Sequence, residues 1–134
     1  MKIRSLLACA VAILLASCAA PPPQRFASVT GLKPQKEAYY RQLHAAPWPS
    51  ILAKIKACNI RNYSIYRSEI GGKAYLFSYF EYVGHDFAAD MKRMAADPET
   101  RRWWKETDPC QVPLPAARKK GGIWADAEEV FHAD

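Results

Sequence analysis

Apolar and polar positions alternate or recur at helical spacing along most of the chain, and the changes of period mark out the elements. Arg25 to Leu32 sets Phe26, Ser28 and Thr30 against Ala27, Val29 and Gly31, the pattern of a half-buried strand closed by its glycine. Pro34 suits a first helical position, and Lys33 to His44 reads as a polar helix bearing Tyr39, Tyr40, Leu43 and His44. Pro47 and Pro49 bracket Trp48, disfavour helical backbone at Ala46 and Trp48, and break that helix. It resumes from Ser50 to Cys58 with Ile51, Leu52 and Ile55 on one face. Asn59 to Arg67 alternates Ile60, Asn62, Ser64 and Tyr66 with Arg61, Tyr63, Ile65 and Arg67. Ala74 to Val83 is the strongest strand, aromatic and ended by Gly84, and Gly71-Gly72 marks the turn before it. The two strands predict a hairpin with a loop longer than two residues. Asp86 caps a helix over Phe87 to Ala96 that buries Phe87, Met91 and Met94, and Asp97-Pro98 restarts a short helix through Thr100 to Lys105. Thr107 to Gly122, with Pro109, Pro113, Pro115 and a glycine pair, reads as a long loop, and Trp124 to His132 as a last strand.

The order β-α-β-β-α-β predicts an α+β, ferredoxin-like fold, a four-stranded antiparallel sheet with both helices on one face. Nothing in the chain covers the other face. The aromatic hairpin argues against leaving that face to solvent, so the expected partner is a second copy packed sheet to sheet.

Composition narrows the class. With 134 residues, half of them hydrophobic and 24% charged, the chain has the make-up of one globular domain. The formal charge of +6 includes Lys2 and Arg4 of a removable leader, and the mild excess that remains points to no nucleic-acid partner. The leader has a basic head, an apolar run from Leu6 to Leu15, and small residues at Ala16 and Ser17, which together mark a secretory signal. Leu15-Ala16-Ser17-Cys18 resembles the lipobox of bacterial lipoproteins, a family in which the cysteine is acylated and becomes the new N-terminus. That resemblance divides the chain into a signal peptide at 1–17, a lipidated Cys18 with a proline-rich tether at 18–24, and a domain at 25–134. It also implies an exported protein, lipid-anchored on the periplasmic or cell-surface side of a bacterial membrane. The rest holds no apolar run long enough for a membrane span. Cys9 leaves with the leader, so Cys58 and Cys110 are the two thiols that concern the fold. An oxidising compartment would permit them to bridge, but their spacing does not show whether they are close. Neither has a histidine or cysteine at metal-ligand spacing, so no metal site is expected.

Tyr40 and His44, four apart, share a helix face, and Trp48 follows between its prolines. Tyr63 in the second strand and Trp103-Trp104 after the helix restart complete a set suited to a sugar. Pyranose C–H faces lie on aromatic rings, tyrosine and indole groups bond the hydroxyls, and histidine moves protons near neutral pH. Each also has a plainer reading: Tyr63 as a core residue, His44 as a structural or surface histidine. Trp103 and Trp104 point about 100° apart on a helix, so both cannot be buried against one surface. His85 precedes a helix cap and reads as exposed; His132 closes the last strand, where it could approach the site but reads better as a strand-end polar residue.

Four pieces nonetheless stand in a common register. Tyr40-x-x-x-His44-x-x-x-Trp48-Pro49, Asn62-Tyr63-x-Ile65-Tyr66, Trp103-Trp104-Lys105 and Glu129-Val130-Phe131 resemble the L-rhamnose mutarotase family in order and spacing, over about Arg25 to Ala133. The resemblance implies a dimeric ferredoxin-like α/β-barrel that interconverts the α and β anomers of a 6-deoxy sugar, L-rhamnose or a relative such as L-fucose. His44 then corresponds to the catalytic proton donor, and Tyr40, Tyr63, Trp103 and Trp104 to substrate-contacting residues; no metal or organic cofactor is implied. In that chemistry His44 protonates the ring oxygen while a tyrosine hydroxyl or water handles the anomeric proton. Two features depart from the family: Ser50 stands where an acidic residue is common, and the loop with Arg118-Lys119-Lys120 is longer. A carbohydrate-binding lipoprotein without catalysis and a ferredoxin-like monooxygenase are the competing readings. The proton shuttle at His44 disfavours the first and the paired tryptophans disfavour the second.

Overall fold

A computed structural model describes residues 21–133; the expected signal peptide and Cys18 lie outside the described residues. Strand β1 (Gln24–Leu32) leads through a 3-10 turn at Pro34–Lys36 into α1 (Glu37–Ala45) and α2 (Pro49–Ala57). The hairpin β2 (Ile60–Ile70) and β3 (Lys73–Tyr82) follows, then α3 (Phe87–Ala96) and α4 (Pro98–Thr107). A 3-10 turn at Asp108–Cys110, strand β4 (Gln111–Val112), helix α5 (Pro115–Lys119) and strand β5 (Ala125–Ala127) complete the described chain. The fold is mixed α/β on an antiparallel sheet of order β2-β3-β1-β4, with β5 also paired to β1.

The hydrophobic pattern accounts for most of this. Pro49 sits at the first turn of α2, where a missing N–H costs nothing, and Trp48 before it is extended as an X-Pro residue should be. The Asp86 and Asp97 carboxylates cap α3 and α4 by accepting the backbone N–H groups of Ala89 and Thr100. Four expectations need correction. The hairpin loop has two residues, because Ile70 pairs with Lys73, and Gly71 and Gly72 take the left-handed backbone such a turn demands (φ 57° and 71°). The stretch read as a long loop contains β4 and α5. The last strand covers only Ala125–Ala127, and residues 128–133 have no regular structure. Phe87, Met91 and Met94 are half-buried rather than buried, since α3 lies at the margin of the molecule.

Register assigns the side chains to two faces. On one face Thr30 lies opposite Leu76 and Ser28 opposite Ser78, their hydroxyls 2.7 Å apart. Here Leu32, Tyr40, Ala74, Leu76 and Cys110 form the core, with Ile65 and Trp124 against it. The other face carries Val29 opposite Phe77, Ala27 opposite Tyr79, and Tyr66 opposite Phe77 from the far side. β4 approaches β1 closely at Gly31, where a Cβ would stand 3.0 Å from Val112. Cys58 and Cys110 are both buried and free.

Candidate active site

Between α1, α2 and the inner face of β2 lies a cavity of about 610 Å³, in the usual range for a small-molecule site. Helix α1 contributes Tyr40, Arg41 and His44, β2 contributes Tyr63, Ile65 and Arg67, and α4 contributes Trp103. Leu32, Leu76, Ile51, Leu52 and Ile55 make the rest of the wall apolar.

Four of the five residues singled out for chemistry meet there: His44, Tyr40, Tyr63 and Trp103. The fifth does not. Trp103 is 7% exposed and faces inward, whereas Trp104, a helical step on, is 37% exposed and is not among the lining residues. Trp48 stands behind the wall, its ring 5.1 Å from that of Trp103 and covered on another side by the Arg102 guanidinium at 4.3 Å. It braces Trp103.

His44 is held from several sides. Its ring stacks on Tyr40 at 4.1 Å and meets Trp103 edge-on at 5.3 Å. Its Nδ1 lies 2.9 Å from the Tyr40 carbonyl oxygen, one turn back. A carbonyl only accepts, so Nδ1 carries the hydrogen and, in the neutral ring, Nε2 keeps the free lone pair. Burial lowers the His44 pKa and the bond to the Tyr40 carbonyl only partly opposes that. At neutral pH the ring is therefore an uncharged base. Tyr40 goes the other way: burial raises its pKa far above 10, with a further increase from the nearby Tyr63 hydroxyl. Burial likewise raises the Tyr63 pKa, although its ring edge is exposed. Both tyrosines stay protonated and can donate hydrogen bonds.

A local irregularity places Tyr63. The register of β2 against β3 slips between Arg61 and Ser64, so Asn62 and Tyr63 together stand opposite Phe80. Asn62 takes a left-handed conformation (φ 48°) and donates to Glu81 at 2.6 Å, and the bulge turns Tyr63 onto the helix side, edge-on to Phe80. Three polar residues escaped the sequence reading. Arg41 and Arg67 reach the cavity wall and share the Glu37 carboxylate, at 2.8 and 3.2 Å. Hydrogen bonds from Arg41, and then from Arg67, hold Glu37 below its usual pKa. The helical spacing of Arg41 to His44 and the alternation Tyr63, Ile65, Arg67 would have found both. Gln111, buried at 4% exposure in β4 opposite Leu32, had no signal of that kind. Among the described residues no three His, Cys, Asp or Glu side chains converge as a metal site requires.

Comparison with known proteins supplies the family. The family model described as L-rhamnose mutarotase matches residues 25–133. An L-rhamnose mutarotase of Bacillus subtilis is 29% identical over 111 residues, covering 83% of this chain and 99% of its own. One from Opitutus terrae is 31% identical over 98 residues, covering 73% of this chain and 86% of its own. In fold, the chain is similar to a crystal structure of an L-rhamnose mutarotase from Formosa agariphila, with a TM-score of 0.62 at 20% identity over 83% of this chain and 99% of that one.

Proposed function

The chain belongs to the L-rhamnose mutarotase family, sugar isomerases, and on that premise we propose that it interconverts the α and β anomers of L-rhamnose with His44 moving the proton. The carrying observation is the held imidazole. Its Nδ1–H is tied to the Tyr40 carbonyl, and its ring is fixed between Tyr40 and Trp103 in a cavity of monosaccharide scale.

Ring opening removes a proton from the C1 hydroxyl, places one on the ring oxygen and breaks the bond between C1 and that oxygen. Both oxygens are attached to C1, so one imidazole can serve both. Neutral His44 takes the hydroxyl proton on Nε2 and delivers it to the ring oxygen, so no net charge is left behind. The donor role implied by the family resemblance is thus the second half of the act. Tyr40 and Tyr63, kept protonated by burial, donate hydrogen bonds to the oxygen on which charge develops. The open aldehyde turns about C1–C2 against the apolar wall, and closure reverses the transfers. Trp103 offers an aromatic face to the C–H side of the sugar, and the C6 methyl of a 6-deoxy sugar suits Ile51, Ile55 and Ile65. Trp104 is left out of this assignment because it is not among the residues that line the cavity.

The test is anomer exchange by saturation-transfer NMR on L-rhamnose and L-fucose. Wild-type protein should exchange L-rhamnose well above the spontaneous rate, and His44→Ala should lose about 10²–10⁴-fold. Binding without exchange, or full activity in His44→Ala, would overturn the proposal.

The assembly proposed is a homodimer closed through the outer sheet face. The address proposed is a membrane, through acylated Cys18, with Pro21–Pro23 as the visible part of the tether. No helix among the described residues is long and apolar enough to cross a membrane, so attachment would rest on the lipid. Fractionated cells should hold the wild type in membranes and Cys18→Ala in the soluble fraction; equal distribution would rule the anchor out.

A further inference from the structure

Resting on the mutarotase reading and deepening it, we infer that Arg41 and Arg67 determine which sugar the site accepts: held from behind by Glu37, they turn their remaining N–H groups to the hydroxyls on the edge of the pyranose remote from C1.

The two arginines mark one end of the cavity and the reacting groups the other. Both line it, one from α1 and one from β2, whereas Glu37 is not among the lining residues. On α1, Arg41 stands three residues before His44, so the two share a helix face about 5–6 Å apart. On β2, Arg67 lies opposite Leu76, four residues beyond Tyr63 and about 13 Å further along the strand. Both steps lead away from His44 and Tyr63, and they converge where the two guanidinium groups meet Glu37. A pyranose with C1 at His44 presents its C3 and C4 hydroxyls toward that end.

The bonds already made leave both arginines something to give. Arg41 spends Nε and Nη2 on one oxygen of Glu37, at 3.0 and 2.8 Å, and Arg67 spends Nη2 on the other, at 3.2 Å. Glu69, more exposed, lies 3.5 Å from that same Arg67 nitrogen. Nη1 of Arg41 and both Nε and Nη1 of Arg67 thus have no acceptor among the described residues. A guanidinium only donates, in a fixed planar fork, and neighbouring hydroxyl oxygens are acceptors that such a fork fits. Charge decides against an acidic ligand. The two arginines face two carboxylates, Glu37 and Glu69, so the cluster is balanced and suits an uncharged polyol. A tie between α1 and β2 alone would need neither two cations on one carboxylate nor a place for both in the cavity wall.

The experiment measures kcat and KM for anomer exchange, with thermal unfolding alongside, in wild type, Arg41→Leu, Arg67→Leu and Arg67→Lys. The sugars are L-rhamnose, its 3-deoxy and 4-deoxy derivatives, and D-galacturonate. On L-rhamnose, Arg67→Leu should raise KM about 10- to 100-fold, the weight of a charged hydrogen bond, with kcat within about three-fold of wild type. Arg41→Leu should act in the same sense. Arg67→Lys retains a cation for Glu37 but not the fork, so it should fold as wild type does and still raise KM. Wild type should show the same rise on the deoxy sugar that lacks the bonded hydroxyl, and Arg67→Leu should add little to it there. An unchanged KM in the arginine variants, a loss in kcat that follows Tm, or an Arg67→Leu penalty as large on both deoxy sugars as on L-rhamnose would overturn the inference while the mutarotase stands. So would a lower KM for D-galacturonate than for L-rhamnose, the mark of a site for acids. A wild-type chain that exchanges none of these sugars would overturn both readings.

Discussion

At the scale of single residues, the chemistry proposed rests on a proton that His44 does not hold at the start. Burial lowers the imidazole pKa from its ordinary 6.5, so the neutral base is the resting form and protonation removes it. The direction follows: activity is full at neutral pH and falls as pH drops through a value below 6.5. Rate against pH should show that acid limb in wild type and lose it in His44→Ala, after subtraction of the spontaneous reaction. Activity that instead falls as pH rises through the imidazole pKa would mean that the protonated ring starts the cycle. This residue was legible in the chain because Tyr40 and His44 stand one helical turn apart, a spacing that holds regardless of tertiary detail. Gln111 was not, since its place in the core comes from pairing with Leu32 across 79 positions, which periodicity does not encode.

Elements carry the next level. Ile60 and Ile65 both turn to the helix side although an odd number of steps separates them, which a regular strand forbids. The bulge at Asn62-Tyr63 resolves the parity and delivers Tyr63 to the site. Read as strict alternation, the segment conceals this. The break in parity between the two isoleucines was its trace. Asn62 is suited to its left-handed backbone, where a β-branched side chain is not. Asn62→Gly should therefore keep the bulge and most of the activity. Asn62→Val should lose about 1–2 kcal/mol of stability and a larger share of activity, as urea unfolding and the exchange assay would show. An active and stable Asn62→Val would mean that the bulge does not position Tyr63. The helices were the easiest elements to foresee, because prolines and aspartate caps punctuate them locally. The final strand was the hardest: its apolar Val130 and Phe131 look like strand interior yet are 93% and 82% exposed.

For the molecule as a whole, those two side chains belong with a larger pattern. Tyr66, Phe77 and Tyr79 give the outer face of the sheet an aromatic surface that no element among the described residues covers. An apolar tail beside an apolar face is what a partner subunit would bury. Sedimentation velocity should find the wild-type domain dimeric at micromolar concentration. Phe77→Lys, which sets an unpaired charge into that face, should sediment as a folded monomer. A wild type that is monomeric throughout would rule the sheet-to-sheet assembly out. The sequence carried the existence of the open face, through element order alone, but not the path of residues 107–133, where short pieces pair with β1 by closure over long separations.

The position of β1 has a mechanical consequence. The strand that follows the tether is an inner one, paired with β3 over Gln24–Gly31 on one side and with β4 and β5 on the other. Tension applied from the N-terminal side would not peel this strand off an edge one bond at a time. It would load both rows of antiparallel hydrogen bonds in shear, since those bonds lie across the direction of pull. If the domain is held through Cys18 as proposed, its first strand would resist being drawn out by that attachment.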